Sequence, residues 1–429
     1  MEGGVQLATA PEYSKPLIIK TLLTAIVFAC TGALVFSRQF YTEALADAFF
    51  GLALGSIVIL HLRICRKYLD LLPLAGGTIL IGFVDFRILH YGPRIMAWFS
   101  FLGISSLLIM VVRTIWAPQR KMLLYTWVPS GLFVASDYFA STMLAWTSAA
   151  HPKTLDVYLL SFDGSMGVQL SYVVGRVYAL NSWLHSASLL AYIGLAVPIA
   201  VVYSGRLLRF KEKAWPVMLA FLITGPLGIL FYNVFPACGP AHLIPGFPFR
   251  EVLTSDLRRV LLEPGAVDGP RNAIPSLHMA WTLLAWWYSR GLSWWERAIA
   301  FTFLALTVVA TMGTGEHYFV DLVVAFPFAL MIQALCAYRL KWKDVRRLTP
   351  FAFGLLVTLA WLMALRYSPK LFWTSALVPW ALVIATIALS SLRQMELDRA
   401  ADAAGAVVLK GRPSKVAPLS TADTSRAVN

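Results

Sequence analysis

Apolar blocks follow one another along this chain, each near the length of a membrane-crossing helix, with short polar connections between them. They fall at 17–36, 44–62, 71–89, 95–115, 122–146, 183–204, 215–235, 276–290, 297–313, 318–338, 350–366 and 371–391. Their length and spacing predict about twelve spans, hence an all-α, polytopic membrane bundle. The first block, Leu17–Phe36, is too long for a signal-peptide core and has no small-residue cleavage site, so it is expected to stay as an anchor. Between the fifth and sixth blocks, Asp156 and Asp163 lie seven apart on a segment that alternates apolar and polar residues, the pattern of an interfacial amphipathic helix. Beyond about Arg393 the chain turns Ala-, Ser- and Lys/Arg-rich, a short helix fraying into a disordered tail.

Composition narrows the class. The 429 residues are 59% hydrophobic and 14% charged, with a mean hydropathy of +0.69, more apolar surface than a soluble fold can cover. The net charge of +14 does not point to nucleic acid, because the Lys and Arg residues punctuate alternate connections, at 63–67, 113–121, 206–213, 290–297 and 339–347. That alternation puts these loops and both termini in the cytoplasm, and it leaves residues 236–275 and the loop holding Glu316 outside. The four cysteines form no disulfide framework.

Two stretches carry candidate chemistry, Ala273-Ile-Pro-Ser-Leu-His278 and Gly313-Thr-Gly-Glu-His-Tyr-Phe-Val-Asp321, each at the outer start of an apolar block. His317 and Asp321 are four apart, and on a helix they would share a face, with the carboxylate taking the imidazole Nδ1–H and freeing Nε2 as nucleophile or base. Helix N-termini at that depth offer free amides and a positive dipole end to an anion, and Gly313 and Gly315 around Thr314 would let backbone amides wrap an oxyanion. A lipid phosphate at headgroup depth is the expected reacting group. His61, His90, His151 and His185 are read as interfacial side chains without a role.

Pro275-Ser-Leu-His278 and His317-Tyr-Phe-Val-Asp321 resemble the second and third motifs of the type 2 phosphatidic acid phosphatase superfamily, and Gly-Glu-His-Tyr-Phe-Val-Asp-Leu looks closest to its inositol phosphorylceramide synthase and sphingolipid phosphotransferase branch. The resemblance covers about residues 122–338, which implies a six-span catalytic core, N-terminal spans in 1–121, two further spans in 339–391 and a tail from 392. It implies that His317 forms a phosphohistidine, that Asp321 sets its tautomer, and that His278 protonates the leaving oxygen and then activates the acceptor, with neither metal nor cofactor. Arg271, Asn272, Ser276, Thr314, Tyr232 and Asn233 are the expected substrate contacts, the last two from a segment similar to the family's Tyr/Pro-rich one.

Departures from the family pattern bear on the substrate. No Lys-x6-Arg-Pro occurs, and Ala310-Thr311 stand where the phosphatases carry Ser-Arg, which leaves Arg271 as the replacement cation. A phosphomonoester carries almost two negative charges and a diester one, so fewer cations favour a diester and head-group transfer over hydrolysis. The alternatives are a lipid phosphate phosphatase of the same superfamily and, less well suited to residues at outer helix ends, a transporter. Membrane lipids are the expected partners, and nucleic acid is not one.

Overall fold

The computed structural model describes residues 48–65, 70–84, 95–116, 120–249 and 262–410. The expected anchor at 17–36, Arg250, Arg258, Arg259, His90 and the tail beyond 410 lie outside the described residues.

The elements run α1 (Ala48–Cys65), α2 (Leu71–Val84), α3 (Ile95–Trp116), α4 (Arg120–Ala150), β1 (Lys153–Thr154), α5 (Asp156–Ser165), α6 (Leu170–Leu180), α7 (Ser182–Ile193), α8 (Ala196–Phe210) and α9 (Trp215–Val234). There follow α10 (Pro240–Leu243), β2 (Gly265–Ala266), α11 (Leu277–Tyr288), α12 (Trp294–Gly313), α13 (Phe319–Cys336), α14 (Val345–Tyr367) and α15 (Leu377–Lys410). Apart from the small antiparallel β1–β2 ribbon, which pairs Lys153 with Ala266 and Thr154 with Gly265, the architecture is all-α, as the apolar blocks predict.

The expected count of about twelve spans is not met among the described residues. Five described helices, α9, α12, α13, α14 and the Leu377–Ala404 part of α15, are long and apolar enough to cross a membrane, and α7 with α8, meeting at 56°, would make a sixth. They make this an integral membrane protein. Length is the physical reason for the lower count. The block at 276–290 folds as the 12-residue α11. At about 1.5 Å rise per residue it reaches roughly 18 Å, short of a hydrocarbon core about 30 Å thick. The bend between α7 and α8 falls at Gly194-Leu195, with Pro198 in the first turn of α8, where a missing amide and a fixed φ interrupt the helical ladder.

Helix α13 is the axis of the bundle. Of its length 83% is buried, against 50% or less of the other four long apolar helices, and it packs on α14, α15, α11, α9 and α5. Helix α1 joins the core through α8 and α4. At one end of the bundle Glu296, which caps α12 with Ser293, takes ion pairs from Arg63 of α1 and Arg209 of α8. Arg206 there donates to the carbonyls of Tyr288 and Arg290. The opposite end carries the two candidate stretches.

Candidate active site

Helix α11 starts where it does because Ser276 caps it, with extended backbone and its Oγ accepting from the Met279 amide at 3.4 Å. Helix α13 starts at Phe319, so His317 lies one residue before the N-cap Tyr318 and outside the helix. The expected stacking of His317 on Asp321 along a helix face is therefore replaced by a contact across the helix entrance. The Asp321 carboxylate accepts from the Tyr318 amide at 2.8 Å and stands 3.4 Å from His317 Nδ1.

His317 is almost fully buried, 1% exposed, and each of its three nitrogens has a partner. Its amide donates to the Thr311 carbonyl at 3.1 Å, its Nδ1 faces the Ala273 carbonyl at 2.8 Å, and its Nε2 faces Ser276 Oγ at 3.2 Å. A carbonyl only accepts, so Nδ1 carries the proton and, in the neutral ring, Nε2 carries the lone pair. The main fixer of the tautomer is thus the Ala273 carbonyl, with the Asp321 carboxylate behind it.

His317 borders a cavity of about 480 Å³ that it shares with His278, Asn272, Thr314, Glu316 and Tyr232. The rest of the wall is mostly apolar, drawn from α1, α4, α7, α8, α9 and α11, and includes Phe49, Phe133, Leu144 and Trp281, with Ser136 and Tyr192 among the polar exceptions. The histidines and their polar neighbours against apolar side chains make the cavity amphipathic. The His278 ring stacks on Tyr192, centroids 3.8 Å apart and 17° from parallel, and meets Trp281 edge-on. Tyr192 ends α7 just before the bend, which is what brings it over His278.

The remaining sequence-predicted residues divide. Asn272 lines the cavity, and among the described residues its buried Oδ1 has no hydrogen-bond partner. Tyr232 is buried on the wall, its hydroxyl against the Leu277 backbone. Asn233 is exposed and bonded to His151 Nε2 at 3.0 Å, away from the cavity. Arg271 does not line it either. Its guanidinium, on a side chain 5% exposed, is held by the carbonyls of His151 (2.9 Å), Pro152 (3.4 Å) and Gly269 and by Cys238 Sγ.

The expected amide cradle at Gly313-Thr314-Gly315 is the C-terminal end of α12. The amides of Thr314 and Gly315 donate back to Ala310 and Met312, so they are spent on the helix end. Gly315 has φ +78°, and a Cβ there would stand 2.7 Å from Ala241 and the Phe247 ring, which keeps this turn glycine. The N-terminal amides of α13 are also taken, by carboxylates: Tyr318 N–H by Asp321, and Phe319 N–H by Asp163 Oδ2 at 3.1 Å.

Asp163 and Asp156 were expected at a lipid interface, yet they are 1% and 0% exposed. Asp156 accepts from the amides of Cys238 (3.1 Å) and Gly239 (2.8 Å) and from the Tyr318 hydroxyl (3.2 Å). Burial raises the carboxyls of both, Asp163 to about 7, even against the donors around them. The seven-residue spacing, two helical turns on one face, was the visible signal; only the fold shows that this face turns inward. His242 sits 3.6 Å from Glu316, whose carboxylate raises the imidazole above its usual range.

Ser276, His278, His317 and Asp321 are thus brought together, though they come from two helices separated by a third. No curated protein and no solved structure matches the chain. Residues 157–335, from the start of α5 to the last turn of α13 and including both histidine motifs, match the model of the PAP2 superfamily.

Proposed function

We propose that this protein is an integral-membrane lipid phosphotransferase that moves a phosphoryl-bearing head group through a phosphohistidine on His317. The observation that carries the reading is the state of one nitrogen. Nδ1 is committed to the Ala273 carbonyl, which leaves the lone pair on Nε2, and His317 lines an amphipathic cavity that also holds His278. The PAP2 superfamily match over the same helices supports it.

In the first half-reaction the Nε2 lone pair attacks phosphorus, the bond from phosphorus to the leaving oxygen breaks, and protonated His278 gives that oxygen its proton. The Ser276 hydroxyl, which rests on Nε2, turns to a phosphoryl oxygen. Positive charge grows on the His317 ring as the P–N bond forms, where the Ala273 carbonyl and the Asp321 carboxylate stabilise it. In the second half-reaction His278 takes the proton of an acceptor hydroxyl, whose oxygen attacks phosphorus and returns His317 to its starting state. An alcohol acceptor makes the enzyme a transferase, as in the inositol phosphorylceramide synthase and sphingolipid phosphotransferase branch, and water makes it a lipid phosphate phosphatase. Retention of Arg271 by backbone carbonyls leaves Glu316 as the formal charge among the described lining residues apart from the histidines, which favours the monoanionic diester. The charge pattern of the loops supports an extracytoplasmic site.

The test is to incubate purified protein with phosphodiester and phosphomonoester lipids and an alcohol acceptor, with mass spectrometry of products and of His317. Turnover with an acid-labile, base-stable phosphate on His317 is expected, and both should vanish in His317→Ala. Undiminished turnover in that variant would end the reading.

A further inference from the structure

Helix α5 reaches the nucleophile segment at two points. At its first residue Asp156 ties the Tyr318 hydroxyl to the amides of Cys238 and Gly239. Two turns on, Asp163 takes the Phe319 amide at 3.1 Å and the Ser171 hydroxyl at 3.3 Å, with the Val320 amide also against it. These contacts fall on the three residues that follow His317, and neither aspartate lines the cavity. The helix is itself held from behind by the C-terminal spans. Phe162 packs edge-on to Trp361 and Phe372, Trp373 Nε1 donates to Ser161 Oγ at 2.9 Å, and Trp380 Nε1 donates to the Met166 carbonyl at 3.2 Å.

Resting on the phosphohistidine reading above, we infer that Asp163 and Asp156 are positioning residues of the reaction: a carboxylate pair on α5 that fixes the 317–319 backbone and places negative charge behind His317, with the last two spans as its brace. A cap alone does not need a second acid here, because Asp321 already accepts from the Tyr318 amide. Two carboxylates at one dry helix entrance repel each other, a cost that is repaid when the imidazole turns cationic between them and the substrate. Burial, which raises Asp163 to about 7, puts that charge change close to neutrality.

The titratable and charged groups facing the two carboxylates are Asp321 and Tyr318 at the entrance of α13, Cys238 beside Asp156 with Arg271 against its thiol, and His242 from α10. From α14, α15 and the turn between them the groups touching α5 are the uncharged Trp361, Phe372, Trp373 and Trp380.

Asp163→Asn separates charge from shape, since the amide oxygen still accepts from Phe319. The expected result is a kcat lower by about 10- to 100-fold with KM within about threefold. The acid limb of the profile should move to lower pH by about half a unit or more, because His317 loses a nearby anion that favours its protonated form. Tyr318→Phe, which leaves both aspartates and the helix cap in place, should lower kcat by about three- to tenfold at constant KM. The pH dependence of diethyl pyrocarbonate modification of His317, read by peptide mass spectrometry, should show the same displacement in Asp163→Asn without any substrate. Wild-type kcat and an unmoved His317 titration in folded Asp163→Asn, or a loss of melting temperature alone, would overturn the inference. With His317→Ala inactive, that outcome leaves the phosphohistidine reading standing; an active His317→Ala removes both.

Discussion

His317 Nδ1 lies 2.8 Å from the carbonyl oxygen of Ala273, closer than the 3.4 Å that separates it from the Asp321 carboxylate. The tautomer of the candidate nucleophile is therefore set first by the backbone that precedes the Pro275-Ser276 cap of the neighbouring helix. Neither helix can shift along the other without disturbing it, and the Ser276 amide bonded to the Asp321 carbonyl at 3.2 Å holds the same register.

Ser276 serves both the fold and the site, and the two roles can be told apart. Ser276→Ala removes an N-cap, worth about 1 kcal/mol of stability, together with the hydroxyl on Nε2. Turnover should fall about tenfold, the effect of one hydrogen bond to a charged group. Ser276→Asp should restore the cap without restoring the rate, since it sets an anion against the incoming phosphate. Equal kcat in the serine, alanine and aspartate forms would exclude a role for the hydroxyl at phosphorus.

Arg271 is expected to act through folding. Its guanidinium closes the carbonyls of His151, Pro152 and Gly269 into one buried clasp, and Arg271→Ala removes that shared donor, leaving Gly269 only the Ser148 hydroxyl at 3.3 Å, a loss on the order of 2–4 kcal/mol. Melting temperature and yield should drop, while kcat/KM of the folded fraction stays within about fivefold of wild type. Arg271→Lys should recover part of the stability, because a point charge cannot serve three acceptors set around a planar fork. A stable Arg271→Ala variant with a rate loss of a hundredfold or more would instead make it the phosphate clamp that its place in the sequence suggests.

Periodicity and charge made the helical architecture and both histidine motifs legible, since apolar blocks and His-x3-Asp are local patterns. Span count was not legible, because a block of fifteen apolar residues reads the same whether it crosses the membrane or stops as the short α11. The cradle at Gly313-Thr314-Gly315 failed for a related reason: glycines mark a helix end as readily as an anion site, and the amides' partners are fixed by where α12 stops. Tyr192 gave no signal at all. Its place over His278 depends on the 56° bend between α7 and α8, a tertiary fact.

The His242–Glu316 pair should make stability depend on pH. The nearby Glu316 carboxylate raises His242 above its ordinary value of 6.5, so the pair's contribution is complete below that value and is lost as pH rises through the higher folded one. Wild-type melting temperature should decline between pH 6 and 8 by more than that of His242→Gln or Glu316→Gln. Parallel curves for all three proteins would mean that the pair is not formed in solution.

Sidedness can be read by labelling. Gly315, at φ +78°, is a poor place for a probe, whereas Ala241 on the same face and Lys343 at the opposite end are both exposed. Cysteine at 241 should react with a membrane-impermeant reagent applied from outside, and cysteine at 343 only after permeabilisation. The reverse pattern would put the chemistry in the cytoplasmic leaflet.

The stack of His278 on Tyr192 gives the last prediction. An acid that first donates and then accepts a proton must keep its ring aimed at the oxygen on phosphorus through both half-reactions, and an error of about 1 Å in such a placement costs on the order of a hundredfold. Among the described residues, the ring contacts of His278 are Tyr192 face-on, with Phe49 and Trp281 at steeper angles, so Tyr192 is the surface that sets the plane. Tyr192→Phe keeps that surface and should retain activity within about threefold, because the packing is supplied by the ring and not the hydroxyl. Tyr192→Leu keeps much of the apolar volume but not the flat face, and kcat should fall about 10- to 100-fold with a smaller change in KM. If the leucine variant matches wild type while His278→Ala is inactive, the imidazole is oriented by the substrate itself and the stack is only packing.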